Sequence, residues 1–546
     1  MKGEKVHKYD AIVIGTGVAG LYQLHLLRKL GLSVKAFEKG TDVGGTWYWN
    51  RYPGCRFDSE SYTYQYSFSD ELLEDWNWSE HFAPQPETLK YMQHVADRFD
   101  LRAHIEFSTA ITSAKYQAAE NKWEVQTDKQ TTYSCQFLIT ALGILSEPYI
   151  PNIAGIDNFK GRAWHTSNWP KEKVKTTGKK IGVIGTGATG VQLITELAKD
   201  VEELYVFQLK PEYCIPLHND KIDETTQKEI KKNQDKIFEQ CNNSYGSFLH
   251  DFKYDKSALE VSKEERNAFY EKLWNERGFA LWLGNYSDLL TNEDANHTIS
   301  EFVRDKIRSQ VDDPVIAEKL CPKDHGFGTR RVPCESGYYK AYNQPNVHLI
   351  DISETPIDCI NELGIKTTAE QYDLDIIVFA TGFDGVTGAY NKVNIVGEDG
   401  TNLSDEWKEG PETYLGMQTP GFPNLFTVCG PHNGSTFCNI PRCLEQNVEW
   451  ISDCLSYINN NGFSKIEAEL DAAKEWTDYA YEVAAPSLFA KTASWFSGAN
   501  IPGKKRTFLS WAGGSPKYRE KCNDVASTGY KAVSYTHLTL PTNQCV

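Results

Sequence analysis

Short apolar runs and helical stripes alternate along this chain, and one arrangement of them occurs twice. Tyr9 to Ile14 reads as a short buried strand, with Gly15-Thr16-Gly17-Val18-Ala19-Gly20 directly after it. Val18, Leu21, Leu24 and Leu27 then recur at helical spacing until Gly31 stops the helix, and Leu32 to Phe37 alternates as the next strand. The arrangement returns with Ile181 to Ile184 as a strand and Gly185-Thr186-Gly187-Ala188-Thr189-Gly190 as the turn. Val191, Ile194 and Leu197 form the second helical stripe, and Leu204 to Phe207 the returning strand. Two β-α-β units predict an α/β protein with two doubly wound domains.

The stretches between these units suggest how the domains divide. Trp123 to Gln126 and Phe137 to Thr140 read as strands completing a first domain over residues 1–150, and Ser146 to Pro151 as a proline-punctuated linker. The second domain opens over 151–222. From Asp223 to Glu318 the chain turns polar, with Phe302, Val303, Ile307 and Val311 on partial helical stripes, which predicts a helical insertion at 223–320. The strand Ile376 to Phe379, running into Ala380-Thr381-Gly382-Phe383-Asp384, closes the second domain over 321–385. Residues 386–530 return to the first. Ser534 to Val546 has no amphipathic pattern, so 531–546 is set aside as a tail or cloning scar without a role.

Composition narrows the function classes. A chain of 546 residues exceeds one ordinary core, and 40% apolar with 24% charged residues is a globular balance. No apolar run approaches the roughly 18 residues that cross a bilayer, and Met1 to Asp10 carries no apolar signal core, so a cytoplasmic protein without a membrane partner is expected. A net charge of −17 argues against nucleic acid. The 13 cysteines are scattered without a C-x-x-C pair, which suggests buried reduced thiols rather than a metal site or disulfide frame. It also argues against a dithiol flavin reductase.

The two glycine turns differ by one charge. Gly15, Gly17 and Gly20 let the backbone approach a pyrophosphate, and the following helix offers free N–H groups. Glu38 ends the second strand, where a carboxylate accepts ribose hydroxyls and repels a 2′-phosphate, which suits the adenosine half of FAD. The second unit ends instead in Gln208-Leu209-Lys210. Lacking an acid and having a cation nearby, it suits the 2′-phosphate of NADPH. These are then two Rossmann-like domains, one for FAD and one for NADP.

Phe159-Lys160-Gly161-Arg162-Ala163-Trp164-His165-Thr166-Ser167-Asn168-Trp169-Pro170 has the form F-x-G-x-x-x-H-x-x-x-W-P. Here the chain resembles the Baeyer–Villiger monooxygenases, the class B flavoprotein monooxygenases of the phenylacetone and cyclohexanone type. A second family signature, Gly44-Gly45-Thr46-Trp47-Tyr48-Trp49-Asn50-Arg51-Tyr52-Pro53-Gly54, precedes Asp58. The resemblance runs to about Tyr518. It implies that NADPH reduces FAD and that a flavin peroxide inserts one oxygen of O2 beside a ketone carbonyl, giving an ester or lactone. The alternative is an N- or S-oxygenating flavin monooxygenase.

The resemblance also assigns roles. Gly45, Thr46, Trp47, Trp49 and Tyr64 are expected at the flavin, and Gly185, Gly187, Ala188, Thr189, Gly190 and Gln192 at NADPH. In Gly326-Phe327-Gly328-Thr329-Arg330-Arg331, Arg331 matches the catalytic arginine and Arg330 falls where relatives carry a lysine for the 2′-phosphate. A fixed guanidinium stabilises anionic oxygen in a dry site, and Asp58 matches its orienting carboxylate. Phe159, Gly161, His165, Trp169 and Pro170 are the fixed positions of the fingerprint, and the resemblance implies that His165 and Trp169 report NADPH binding to the flavin site, with interface packing as their plainer role. Ser494 to Lys504 resembles a segment closing over NADPH, a lid near 490–505 through which Trp495 meets the cofactor. His432 to Arg442 should border the substrate pocket, with Ser435, Thr436, Phe437 and Ile440 in its wall. One departure is Gln208-Leu209-Lys210-Pro211, where many relatives have an arginine for the 2′-phosphate; Lys210 and Arg330 are expected to compensate.

Overall fold

The computed structural model describes residues 6–531 and 533–537. His7–Ile14 forms a parallel ladder with Val34–Phe37 on one side and Thr132–Thr140 on the other. The sheet runs in the order Asn394–Val396, Ile111–Gln117, Lys122–Thr127, Thr132–Thr140, His7–Ile14, Val34–Phe37, Ile105–Glu106, and Leu425–Thr427 pairs with the end of Thr132–Thr140. The strand expected from Leu32 begins only at Val34, because the Leu32 N–H still closes the helix end on the Leu27 carbonyl.

A second sheet repeats the plan with parallel strands in the order Val347–Asp351, Glu203–Gln208, Lys180–Ile184, Ile376–Phe379, Arg162–His165. Its central strands are buried on both faces, as near-continuous apolar runs require. An antiparallel meander, Ile357–Ile360, Gly364–Thr367 and Gln371–Asp373, leads into the closing strand and was not expected from the sequence.

Both sheets carry a helix directly after their first glycine turn, Val18–Lys29 and Ala188–Leu197. The insertion is helical, as its stripes predict. Four of its helices start on side-chain caps: Asp223 accepts the Thr226 N–H, Ser262 that of Glu265, Asn292 those of Asp294 and Ala295, and Asp313 those of Val315 and Ile316. Glu293–Arg308 buries Ala295, Ile299, Val303 and Ile307 on one stripe.

The longest helix, Ile440–Asn460, starts with Pro441 in its first turn and packs on Val18–Lys29. Just before it and within that turn, Cys438 and Cys443 lie 6.7 Å apart at Cα with their sulfurs in contact, a departure from the separate thiols expected. No helix among the described residues is long and apolar enough to cross a membrane. Val533–His537 pairs antiparallel with Phe463–Ala468, so these five residues of the supposed tail take a place in the fold. Backbone pairing supplies the reason, since it needs no amphipathic pattern. The rest of the tail, 532 and 538–546, lies outside the described residues.

Candidate active site

The carboxyl ends of the parallel strands in both sheets open on one continuous cavity of about 1260 Å³. That exceeds the roughly 300–1,000 Å³ of a pocket for one small ligand. Such crevices at strand ends are where doubly wound sheets bind their ligands.

Both glycine turns reach the cavity by the same backbone device. Gly15 (φ +98°) and Gly185 (φ +107°) sit so close to a neighbouring strand end that a Cβ would lie 2.6 Å from the Ala141 carbonyl oxygen or 2.5 Å from that of Ala380. Gly17, Gly187, Ala188 and Thr189 line the cavity, while Gly20 and Gly190 stand behind it. There a side chain would collide with the carbonyl of Gly15 or Gly185.

The strands that follow end in equivalent places, Glu38 after Phe37 and Gln208 after Phe207, paired to Ile14 and Ile184. Glu38 is buried at the cavity. Its Oε2 accepts the Thr16 N–H and hydroxyl, both at 3.0 Å, and its Oε1 the Gly40 N–H at 2.8 Å. A carboxylate so placed keeps acceptor capacity for further hydroxyls. Gln208 is turned away, donating to the Lys319 carbonyl of the insertion at 2.8 Å. One site is therefore acidic where the other is neutral.

At the first turn, Gly45, Thr46, Trp47, Trp49 and Tyr64 all line the cavity. The Trp47 indole donates to the Tyr64 hydroxyl at 3.3 Å, and Phe57 stacks on Tyr64 and meets Trp47 edge-on. This packing fixes both rings in the cavity wall.

Arg331 and Asp58, 273 residues apart in sequence, meet at 2.6 Å between Nη2 and Oδ2. Asp58 is 1% exposed and Arg331 31%, so the acid is sealed while the guanidinium opens on the cavity. Burial works against the arginine's charge, but the Asp58 carboxylate raises its pKa above the ordinary value. The guanidinium also sits 5.5 Å over the Phe279 ring. Asp58 has further partners: the Cys334 N–H approaches Oδ2 and the Gln192 amide approaches Oδ1, both at 3.4 Å. Gln192, on the second glycine-turn helix, donates to the Arg56 carbonyl at 3.0 Å and accepts the Tyr52 hydroxyl at 2.8 Å. The predicted Arg331, Asp58 and Gln192 thus form one connected group.

Lys210 and Arg330 lie together on the cavity rim, each bound to Asp324, at 2.9 Å and 3.0 Å. Arg330 also meets Glu212 at 3.1 Å and donates to the Ala493 carbonyl at 3.0 Å. That last bond ties it to the segment expected to close over the site. There Trp495 lines the cavity, Asn500 donates to the Phe383 carbonyl at 2.8 Å, and Lys504 pairs with Asp384.

None of the five fingerprint residues, Phe159, Gly161, His165, Trp169 and Pro170, lines the cavity. His165 is buried at the end of an edge strand of the second sheet. Its Nε2 lies 3.0 Å from the Gly382 carbonyl, and Nδ1 accepts the Ser167 N–H at 3.1 Å, which assigns the proton to Nε2. Burial lowers its pKa to about 4. His165 is thus one hydrogen bond removed from the cavity, which its partners Gly382 and Ser167 do line. Trp169 packs edge-on against Trp164.

Ser435, Thr436, Phe437 and Ile440 line the remaining end, whereas His432 does not. His432 is buried, at 3.4 Å from the Thr413 hydroxyl. The insertion adds Phe248, Phe279 and Trp282 to this wall, with Trp282 edge-on to Phe437 at 5.6 Å. These three were not among the expected site residues. The aromatic run Phe279-Ala280-Leu281-Trp282 was the available signal.

A family model described as flavin-binding monooxygenase-like matches residues 8–219. The chain is 45% identical to the 2-oxo-Δ3-4,5,5-trimethylcyclopentenylacetyl-CoA monooxygenase of Pseudomonas putida, over 95% of this chain and 97% of that one. It is 42% identical to a Baeyer–Villiger monooxygenase of Pseudooceanicola batsensis, over 96% of each. A phenazine N-monooxygenase of Lysobacter antibioticus is 41% identical, over 97% of each. Among solved structures, a complex of OTEMO with FAD and NADP superposes with a TM-score of 0.94 at 44% identity, covering 97% of this chain and all of that one.

Proposed function

The chain belongs to the Baeyer–Villiger monooxygenase family, and from that membership we propose that it inserts one oxygen atom of O2 beside a ketone carbonyl, giving an ester or lactone, with FAD as cofactor and NADPH as reductant. The single observation that carries the reading is the Arg331 guanidinium, open to the cavity and held by a sealed Asp58.

The residues present fit both nucleotides. Each glycine turn feeds a helix with no acid in its first turn, so its amides are free for a pyrophosphate. Gly15, Gly17, Gly45, Thr46, Trp47, Trp49 and Tyr64 would hold FAD, with Glu38 on its ribose. Gly185, Gly187, Ala188, Thr189, Gln192, Lys210, Arg330 and Trp495 would hold NADPH. The strands each sheet draws on support assigning 1–150 with 386–530 to FAD, and 151–222 with 321–385 to NADPH.

Bound FAD, once reduced by NADPH, supplies the activation of O2. Arg331 stabilises the negative charge that develops on the ketone oxygen, and Asp58 keeps the guanidinium charged and aimed. Trp47, Tyr64 and Phe57 exclude water, which would divert the oxidant to hydrogen peroxide. Phe437 and Ile440 orient the ketone against this end. A cytoplasmic location agrees with NADPH as reductant.

The phenazine relative favours one second reading, oxygenation of a nitrogen centre. That chemistry has no carbonyl oxygen to stabilise, so Arg331→Ala should spare it while sharply lowering ester formation. Turnover of a ketone panel under isotopically labelled O2 tests the main reading. One labelled atom should enter the ester, and labelled hydrogen peroxide as the sole product across the panel would overturn it.

A further inference from the structure

The two cations on the cavity rim are held in a closed ring of charges. Arg330 bridges Glu212 and Asp324, and Lys210 binds Asp324 as well. Directly behind them lies His325, its side chain buried between the same two acids. Its Nε2 faces Glu212 Oε2 at 3.2 Å and its Nδ1 faces Asp324 Oδ1 at 2.8 Å. Ionised carboxylates only accept hydrogen bonds, so both ring nitrogens must donate. That geometry belongs to the imidazolium.

The other neighbours agree. Tyr213 meets the ring edge-on at 5.3 Å and presents its face to Arg304 at 5.7 Å. Arg304 is itself paired with Glu301 and bound to the Pro322 carbonyl. Burial pulls the His325 pKa down, but the hydrogen bonds to Asp324 and Glu212 carry it above the ordinary histidine value.

Charge counting gives the consequence. Glu212 and Asp324 cancel Lys210 and Arg330, leaving nothing for a dianionic phosphate. A protonated His325 makes the sum +1, and it keeps the two acids paired when Lys210 and Arg330 turn toward a ligand.

We propose that His325, clamped between Glu212 and Asp324, is the third cation of the cofactor site and determines its preference for a 2′-phosphorylated over an unphosphorylated nicotinamide dinucleotide. The proposal rests on the reading of Lys210 and Arg330 as the 2′-phosphate residues. His325 touches neither phosphate nor substrate. It is a positioning residue that governs which partner the two outer cations hold.

The preference should fall as pH rises through the His325 pKa. The second ionisation of a phosphate monoester, near pH 6, runs in the opposite direction and is complete by about pH 7.5. A fall on the alkaline side therefore comes from the protein.

The test is calorimetric titration of the FAD-loaded enzyme with NADP+ and with NAD+ between pH 6.5 and 9, as a ratio of affinities. The native ratio should drop about tenfold across this range, the weight of one partly screened charge. In His325→Gln the ratio should start at the low value and stay flat. Asp324→Asn, which removes a competing acid, should raise it.

On the alkaline limb of that profile, NADP+ but not NAD+ should bind with uptake of a fraction of a proton by the native enzyme, a readout that needs no variant to fold. No uptake, or a native pH profile retained in His325→Gln while Arg330→Ala lowers the ratio, overturns the proposal and leaves the phosphate site standing. If Arg330→Ala and Lys210→Ala both leave the ratio unchanged, the phosphate site itself falls, and the proposal with it.

Discussion

Arg331 brings a full charge into an aromatic-walled space because Asp58 stands 2.6 Å behind it, out of reach of solvent. Replacing the arginine by alanine should lower ester formation by about 10²–10³-fold, the usual cost of losing one preorganised group aimed at developing negative charge. NADPH should still be consumed, with hydrogen peroxide as product, which peroxide and ester assays on one sample distinguish. Glu38→Gln removes the charged acceptor of the first turn, and the protein should lose roughly tenfold or more in FAD affinity, read from flavin content after dialysis. Two buried histidines, His165 and His432, have pKa values lowered to about 4 by burial. Unfolded, each takes up a proton below about pH 6.5, so the unfolded state binds more protons between those limits and is favoured there. Stability should hold above pH 6.5 and fall toward pH 4 by on the order of 3 kcal/mol per histidine. Thermal melts across this window should show it, and His165→Gln should flatten the slope.

At the scale of elements, the segment around Trp495 rests on the loop 382–385 through Asn500 to the Phe383 carbonyl and Lys504 to Asp384, and on Arg330 through the Ala493 carbonyl. Asn500→Ala with Lys504→Met should raise the NADP+ dissociation constant about five- to tenfold, on the basis of roughly 1 kcal/mol for these contacts; rapid-mixing release of NADP+ checks it. The glycine turns, their helices and the Glu38/Gln208 contrast were legible in the sequence because each is dictated by local backbone geometry and a single charge. The meander from Ile357 to Asp373 was not, since its strands are three or four residues long with mixed burial. The role of the insertion in the cavity wall was hidden for another reason. A helical stripe tells that Val303 or Ile307 is buried but not against what, and Phe248, Phe279 and Trp282 reach the cavity from short turns outside any long stripe. The His325 ring of charges was likewise illegible, because Glu212 and Asp324 are brought together only by the fold.

For the whole molecule, one cavity is walled by both sheets and by the insertion, so its shape depends on all three. Phe279 meets Trp282 and Phe248 edge-on. Phe279→Ala should shift turnover toward bulkier ketones in a competition assay and cost about 3–5 kcal/mol of stability. Asp58 gathers its partners from across this assembly: Arg331 and the Cys334 amide from the stretch after the insertion, and Gln192 from the helix behind the second glycine turn. Three short bearings of this kind work as an interlock. A displacement of an ångström or so between the stretches that carry them would lengthen all three contacts at once, so the aim of the guanidinium is tied to how these stretches are seated on one another.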